Sequence, residues 1–151
     1  MADPTSTPAT IGELSVSTLL STLNLVLDPQ TYVFLTLPPS TTPPATLDYK
    51  MLFKESEGMT AIATQSSAIQ HNLESTFPCR CITLNVHSSL EAVGFIAKIG
   101  ERLTKLGIGV NPVSGYFHDH IFVPVGREQE VISALEELRD EARKQSLGEG
   151  E

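Results

Sequence analysis

Residues 114–124 read SGYFHDHIFVP, two histidines around an aspartate, behind two aromatic residues. Imidazole and carboxylate groups can ligate a metal, relay a proton or hold a cation. His118, Asp119 and His120 are therefore the first candidates for chemistry. As a metal site the triplet is poor, because alternate strand residues share a face: His118 and His120 would point one way and Asp119 the other. The remaining imidazoles, His71 and His87, have no i, i+4 helical spacing to each other or to this pair. Cys79 and Cys81 form a C-x-C pair, which seldom closes an unstrained disulfide, and zinc would need about two more ligands. Both cysteines read as small strand residues, and no metal is expected. Nucleophilic catalysis needs a serine beside a His/Asp pair. Ser88, Ser89 and Ser114 are available by count, but no G-x-S-x-G elbow occurs. The chain reads as non-enzymatic and without a cofactor.

Two readings of the triplet stay open. In one, Asp119 is a turn former whose side chain accepts backbone N–H bonds, and the histidines are half-exposed strand ends. In the other it is a ligand corner. The run HSSLE, residues 87–91, fits a capping box with Ser88 as N-cap and Glu91 reaching back to it. A helix N-terminus there would carry about half a positive charge. A carboxylate could dock on the N–H groups of Ser89 and Leu90, with Asp119 taking an ammonium or guanidinium. That is how an amino-acid zwitterion is held.

The elements that must position these residues follow from periodicity. Val16, Leu19, Leu20 and Leu23 lie on one helical face, and Asp28-Pro29 is expected to break the chain after them. TYVFLTL (31–37) reads as a buried strand, PPSTTPPAT as a surface loop, and YKMLFK, ESEG, MTAIAT as a hairpin with Gly58 supplying a positive-φ turn position. QSSAIQHN reads as a short helix, followed by a loop ending at Pro78. RCITLNV alternates as a strand. The helix after it spans Ser89 to Leu106, enclosing Gly94 and stopping at Gly107. IGVNPVSGYF, the HDH turn and IFVPV form a second hairpin, and REQEVISALEELRDEARK closes as an amphipathic helix.

The second half is thus β-α-β-β-α, a ferredoxin-like unit short of its last strand. The first half has the same order, with the proline-rich loop where its first helix should be. The expected fold is α+β, with two such units in tandem and helices on one face of antiparallel sheet. Boundaries fall at a lead (1–10), a degenerate first unit (11–78), a second unit (79–145) and a tail (146–151). Because each half lacks a last strand, each should cover the other's open edge. In this topology the HDH turn is expected at the opposite end of the sheet from Ser88, so Asp119 would reach Ser88 only across an interface.

The totals restrict partners. A net charge of -8 repels phosphate backbones and argues against nucleic acid. No segment approaches the roughly 18 apolar residues of a membrane span, so no membrane is expected. MADPTSTPAT has neither the basic nor the apolar region of a secretory signal, which suggests a cytoplasmic chain with reduced thiols.

The runs VHSSLEAVG and YFHDHIFVP carry a family resemblance. From about Leu14 to Leu138 the chain resembles small proteins with two tandem ACT-like modules, similar to the regulatory part of aspartate kinases and to arginine-sensing proteins. The resemblance implies an amino-acid effector held near an interface, and a homodimer or protein partner. Its effector site, the loop between first strand and first helix, falls here on His87, Ser88, Ser89 and Gly94. Asn111, His118 and Asp119 complete the candidate set. Asp119 matches an acidic residue that helps read the ligand in the arginine sensors. The family's D-x-P-G turn is replaced here by H-S-S-L. The rival expectation is a structural module that dimerises through its sheets without a ligand.

Overall fold

The computed structural model describes residues 12–148. The expected lead, 1–10, and residues 149–151 of the tail lie outside that range. The elements are α1 (Val16–Ser21), β1 (Leu25–Leu37), β2 (Tyr49–Lys54), β3 (Met59–Thr64), α2 (Gln65–Gln70), β4 (Thr76–Leu84), α3 (Phe95–Lys105), β5 (Pro112–Ser114), β6 (Asp119–Pro124) and α4 (Glu128–Gly148). The chain therefore stays helical past Lys144, where the sequence pattern stops.

The six strands form one antiparallel sheet in the order β2-β3-β1-β4-β6-β5. At its centre β1 pairs with β4, the first strand of one half against the first strand of the other. Each half thus covers the edge that its missing last strand would have filled. Asp28-Pro29 does not break the chain: β1 runs through it with a shift of register between Leu27 and Thr31. Pro29 cannot donate to a ladder, so an irregularity is where it fits. The Asp28 carboxylate fixes the spot by accepting from Gln30 N–H, the Tyr32 hydroxyl and Lys50. β4 likewise starts before Pro78, at Thr76.

Alternation sorts the core onto two faces. Ile82, Leu84, Ile121 and Val123 pack under α1, α3 and α4 with Leu19, Leu23, Ile99, Leu103 and Leu135. Val33, Leu35, Ala61 and Ala63 pack against Ala68 of α2 and Leu47, which follows the proline-rich loop. Tyr32, Ile62, Cys79, Cys81 and Phe122 face the other way, and the sheet curls around them. Phe122 meets Tyr32 and Phe34 edge-on, with ring centroids 6.1 and 5.9 Å apart, so this aromatic cluster joins the two halves. Burial pushes the Cys79 thiol up to about 12 and the Cys81 thiol up to about 11.

Two local expectations change. Gly58 is needed for close approach rather than for a positive φ: a Cβ there would lie 2.4 Å from the Leu37 carbonyl oxygen. The helix expected from Ser89 begins only at Phe95, with Gly94 as its N-cap at φ 98°. Ser88 does not cap, because its hydroxyl is committed to Asp119 and Glu13 ties down the backbone on either side of it, at His87 O and Ser89 N–H. The C-terminal stop is as expected, with Ile108 N–H on Leu103 O and Gly107 N–H on Thr104 O.

Candidate ligand site

The site is built where β4 ends. After Leu84 the chain turns, with Asn85 N–H on Asn24 O, and passes through His87, Ser88 and Ser89 before α3. An N-terminal strap holds this loop. Glu13 N–H donates to His87 O at 2.7 Å, and Ser89 N–H donates to Glu13 O at 2.9 Å. Gly12 lies on the same backbone, at φ 98° and close enough that a Cβ would fall 2.7 Å from Ser89 N.

β6 begins opposite this point. Asp119 pairs with Leu84 in the β4–β6 ladder, so it sits at the loop's end of the sheet. The expectation of opposite ends is wrong for a simple reason: α3 carries the chain back down, β5 runs up beside β6, and their turn returns to the top. No interface is needed. Ser88 Oγ donates to Asp119 Oδ2 at 3.1 Å, and Ser88, Ser89 and Asp119 are all buried. The turn itself is Gly115–His118, closed by Gly115 N–H on His118 O, so Asp119 is a strand residue rather than the tip.

The third wall is the first turn of α3. Gly94 supplies no side-chain cap, and Lys98 N–H is the first to reach back, to Gly94 O. The N–H groups of Phe95, Ile96 and Ala97 have no intrahelical partner. Together with Ser88, Ser89, Ser114 and Asp119, this turn encloses a cleft of about 180 Å³. One end offers N–H donors with the positive pole of a helix, and the other a carboxylate. A carboxylate ligand would not use Ser89 N–H as the sequence suggests, since Glu13 already occupies it.

Larger cavities, two of which carry lysine or arginine beside glutamate, do not set a buried carboxylate opposite a helix N-terminus. A groove of about 570 Å³ lies beside Phe34, Thr36, Thr60 and Glu74, with an apolar lining. Among the described residues no three His, Cys, Asp or Glu side chains converge as a metal site would require.

Two family models, both for the ACT domain, match the chain in tandem, over residues 11–80 and 76–137. A solved structure from Vibrio cholerae, of a protein of unknown function and possible transport protein, is 36% identical with a TM-score of 0.74. The match covers 82% of this chain and 95% of that one. The chain belongs to the ACT-domain family. An Agrobacterium tumefaciens protein (17% identity, TM-score 0.67, 78% of this chain and 89% of that one) has the same fold. So has the regulatory subunit of Thermus flavus aspartate kinase (9% identity, TM-score 0.53, 77% and 95%). No protein of curated function matches.

In this ACT chain the candidate residues separate. Ser88, Ser89, Gly94 and Asp119 line the cleft. His87 is exposed, its ring 5.8 Å from that of Phe117. His118 precedes the strand and points away from Asp119 by alternation. Asn111 lies further down, its carbonyl accepting from Phe122 N–H, and it does not line the cleft. Sequence reasoning missed Ser114 and the turn Phe95–Ala97. Ser114 pairs with Asp119 across β5 and β6, so a correct register would have found it.

The first ACT half has no copy of the carboxylate. Met59 stands opposite Leu37 as Asp119 stands opposite Leu84. The corresponding cleft, about 420 Å³, is bounded by the proline-rich loop instead of a helix N-terminus.

The strap makes a direct prediction. Gly12→Ala should lower stability by about 1–3 kcal/mol, since the new Cβ meets backbone at a strained φ. Gly109→Ala, where a Cβ meets nothing within 4 Å, should stay within about 0.5 kcal/mol. Urea unfolding of the two variants checks the contrast, and equal losses would refute the strap.

His120, on the face away from the cleft, shares a 2.9 Å hydrogen bond with Thr83 Oγ1. Burial holds its imidazole below the usual value, with Lys50 and His118 adding to the effect and Asp119 opposing it. The unfolded chain therefore takes up this proton first. Stability from this group is complete above about pH 6.5 and is lost as pH falls through the lower folded value. His120→Gln should flatten the fall in stability between pH 7 and 5, read by melts across that range. An unchanged slope would contradict the assignment.

Proposed function

We propose that this chain is a non-catalytic regulatory protein of the cytoplasm that binds a free amino acid. One observation carries the reading: a buried carboxylate, Asp119, and the uncapped first turn of the eleven-residue helix α3 face one cleft. The α-carboxylate sits on the N–H groups of Phe95–Ala97, and the α-ammonium on Asp119. Ser88 occupies one lone pair of Oδ2 and leaves the other oxygen free to accept. Among the described residues Ser88 is the one donor to this buried carboxylate, which costs stability in the empty site, a cost that a cationic ligand group offsets. The family's regulatory modules support the same role.

Occupancy has a route outward. His87 and Ser89 are bonded to Glu13, whose carboxylate accepts from Leu14 and Ser15 N–H ahead of α1. α1 in turn packs on α4 within the helical core. Ligand contact with the loop biases this layer, and a partner or second copy reads it.

Screening the L-amino acids by thermal melting tests the reading. At a hundredfold excess over Kd a ligand adds about 2.7 kcal/mol, a rise of roughly 5–10 °C in Tm. A panel with no shift at millimolar concentration would remove the proposal.

A second reading has its own support. Leu90 and Val93, in the loop before α3, are 68% and 86% exposed, and Tyr116 and Phe117, in the β5–β6 turn, are each 59% exposed. Exposed apolar side chains of this kind suit a protein interface. Sedimentation with and without ligand separates the two: a purely structural module associates equally in both.

A further inference from the structure

Resting on the amino-acid reading, we infer that the cleft selects a small neutral α-amino acid, of the size and polarity of alanine, serine, threonine or valine. Charge counting leads. Among the described residues lining the cleft, Asp119 is the one titratable side chain, and the α3 N-terminus is the one cationic pole. A zwitterion's two backbone charges use up both. Arginine or lysine carries two cations and one anion. With its side-chain cation on Asp119, its α-ammonium would have no anion, and the reverse placement strands the side chain. An acidic amino acid carries an extra anion into a chain of net charge -8, with no cation for it in the cleft. Lys98 points elsewhere, toward Glu101, and both are exposed.

Size agrees. A cavity of about 150 Å³ holds benzene, with six heavy atoms, and this cleft of about 180 Å³ matches alanine to valine, with six to eight, whereas lysine and arginine, with ten and twelve, would extend out of it. The lining left to the side chain mixes apolar Leu90, Ala92, Phe95 and Ile96 with the hydroxyls of Ser89 and Ser114. That mixture accepts both a methyl group and a hydroxyl.

Calorimetric titration of the full chain with L-alanine, L-threonine, L-valine, L-lysine and L-arginine tests this, repeated on Asp119→Asn. The neutral set should bind, with lysine and arginine about 10- to 100-fold weaker. Binding should weaken roughly 30- to 1000-fold in the variant, whose fold is checked by circular dichroism. Lysine or arginine binding as tightly as valine, and weakened likewise in the variant, overturns the neutral class while the amino-acid site stands. Undiminished binding in a folded variant overturns the cleft assignment. No heat from any of the five overturns the neutral class, and the full amino-acid screen then decides whether the broader reading survives.

Discussion

Asp119→Asn is expected to weaken amino-acid binding roughly 30- to 1000-fold, the consequence of removing one partner of a desolvated charge pair. The unliganded chain should keep its stability to within about 1 kcal/mol. Both halves of this expectation come from the same geometry. The Asp119 side chain is buried, and Ser88 Oγ donates to it at 3.1 Å. An asparagine has the same shape, and its carbonyl oxygen still accepts from Ser88. What disappears is the negative charge that faces the cleft. If Asp119 served only as a turn former, the variant would bind as the parent does. Calorimetry paired with thermal melting separates the two cases, since a structural residue would move the melt and a ligand residue would move the affinity.

Phe122→Ala should destabilise the chain by about 3–5 kcal/mol. Phe122 is 1% exposed, on β6 in the second half. Its neighbours Tyr32 and Phe34 belong to β1 in the first half, so its ring closes the curled face across the β1–β4 pair. Among the described residues no helix side chain joins this cluster to collapse into the gap, so relaxation would be small. For a chain of this size the loss corresponds to a fall of roughly 6–20 °C in Tm. A drop below about 2 °C would mean that the two halves cohere through the β1–β4 ladder alone.

Much of this architecture was legible in the residues because alternation is a local signal. Ile82, Leu84 and Cys81 declare their faces within one strand, and Leu103 with Gly107 declares a helix end. The order of elements and the tandem ACT resemblance followed from such signals. What stayed hidden depends on distant partners. Ser88 satisfies a capping box by composition, yet Asp119, thirty-one residues on, takes its hydroxyl. Glu13 takes the loop backbone from still further away. Asp28-Pro29 carries every local mark of a break, and only pairing with β4 makes it a bulge. The end of the sheet at which Asp119 lies is a matter of strand direction, which no single segment encodes. His118 and Asn111 were grouped with the site by closeness in sequence. Alternation turns the first away from the cleft, and register places the second below it.

An amide ¹H–¹⁵N titration of the full chain with an equimolar mixture of the proteinogenic L-amino acids tests the central claim most directly. The account predicts saturable shifts centred on Leu90, Gly94, Phe95, Ile96, Ala97 and Asp119, with the proline-rich loop unmoved. Shifts centred on Ser40, Thr41, Gly58 and Met59 in the first half, or none at saturating millimolar concentrations, would contradict it.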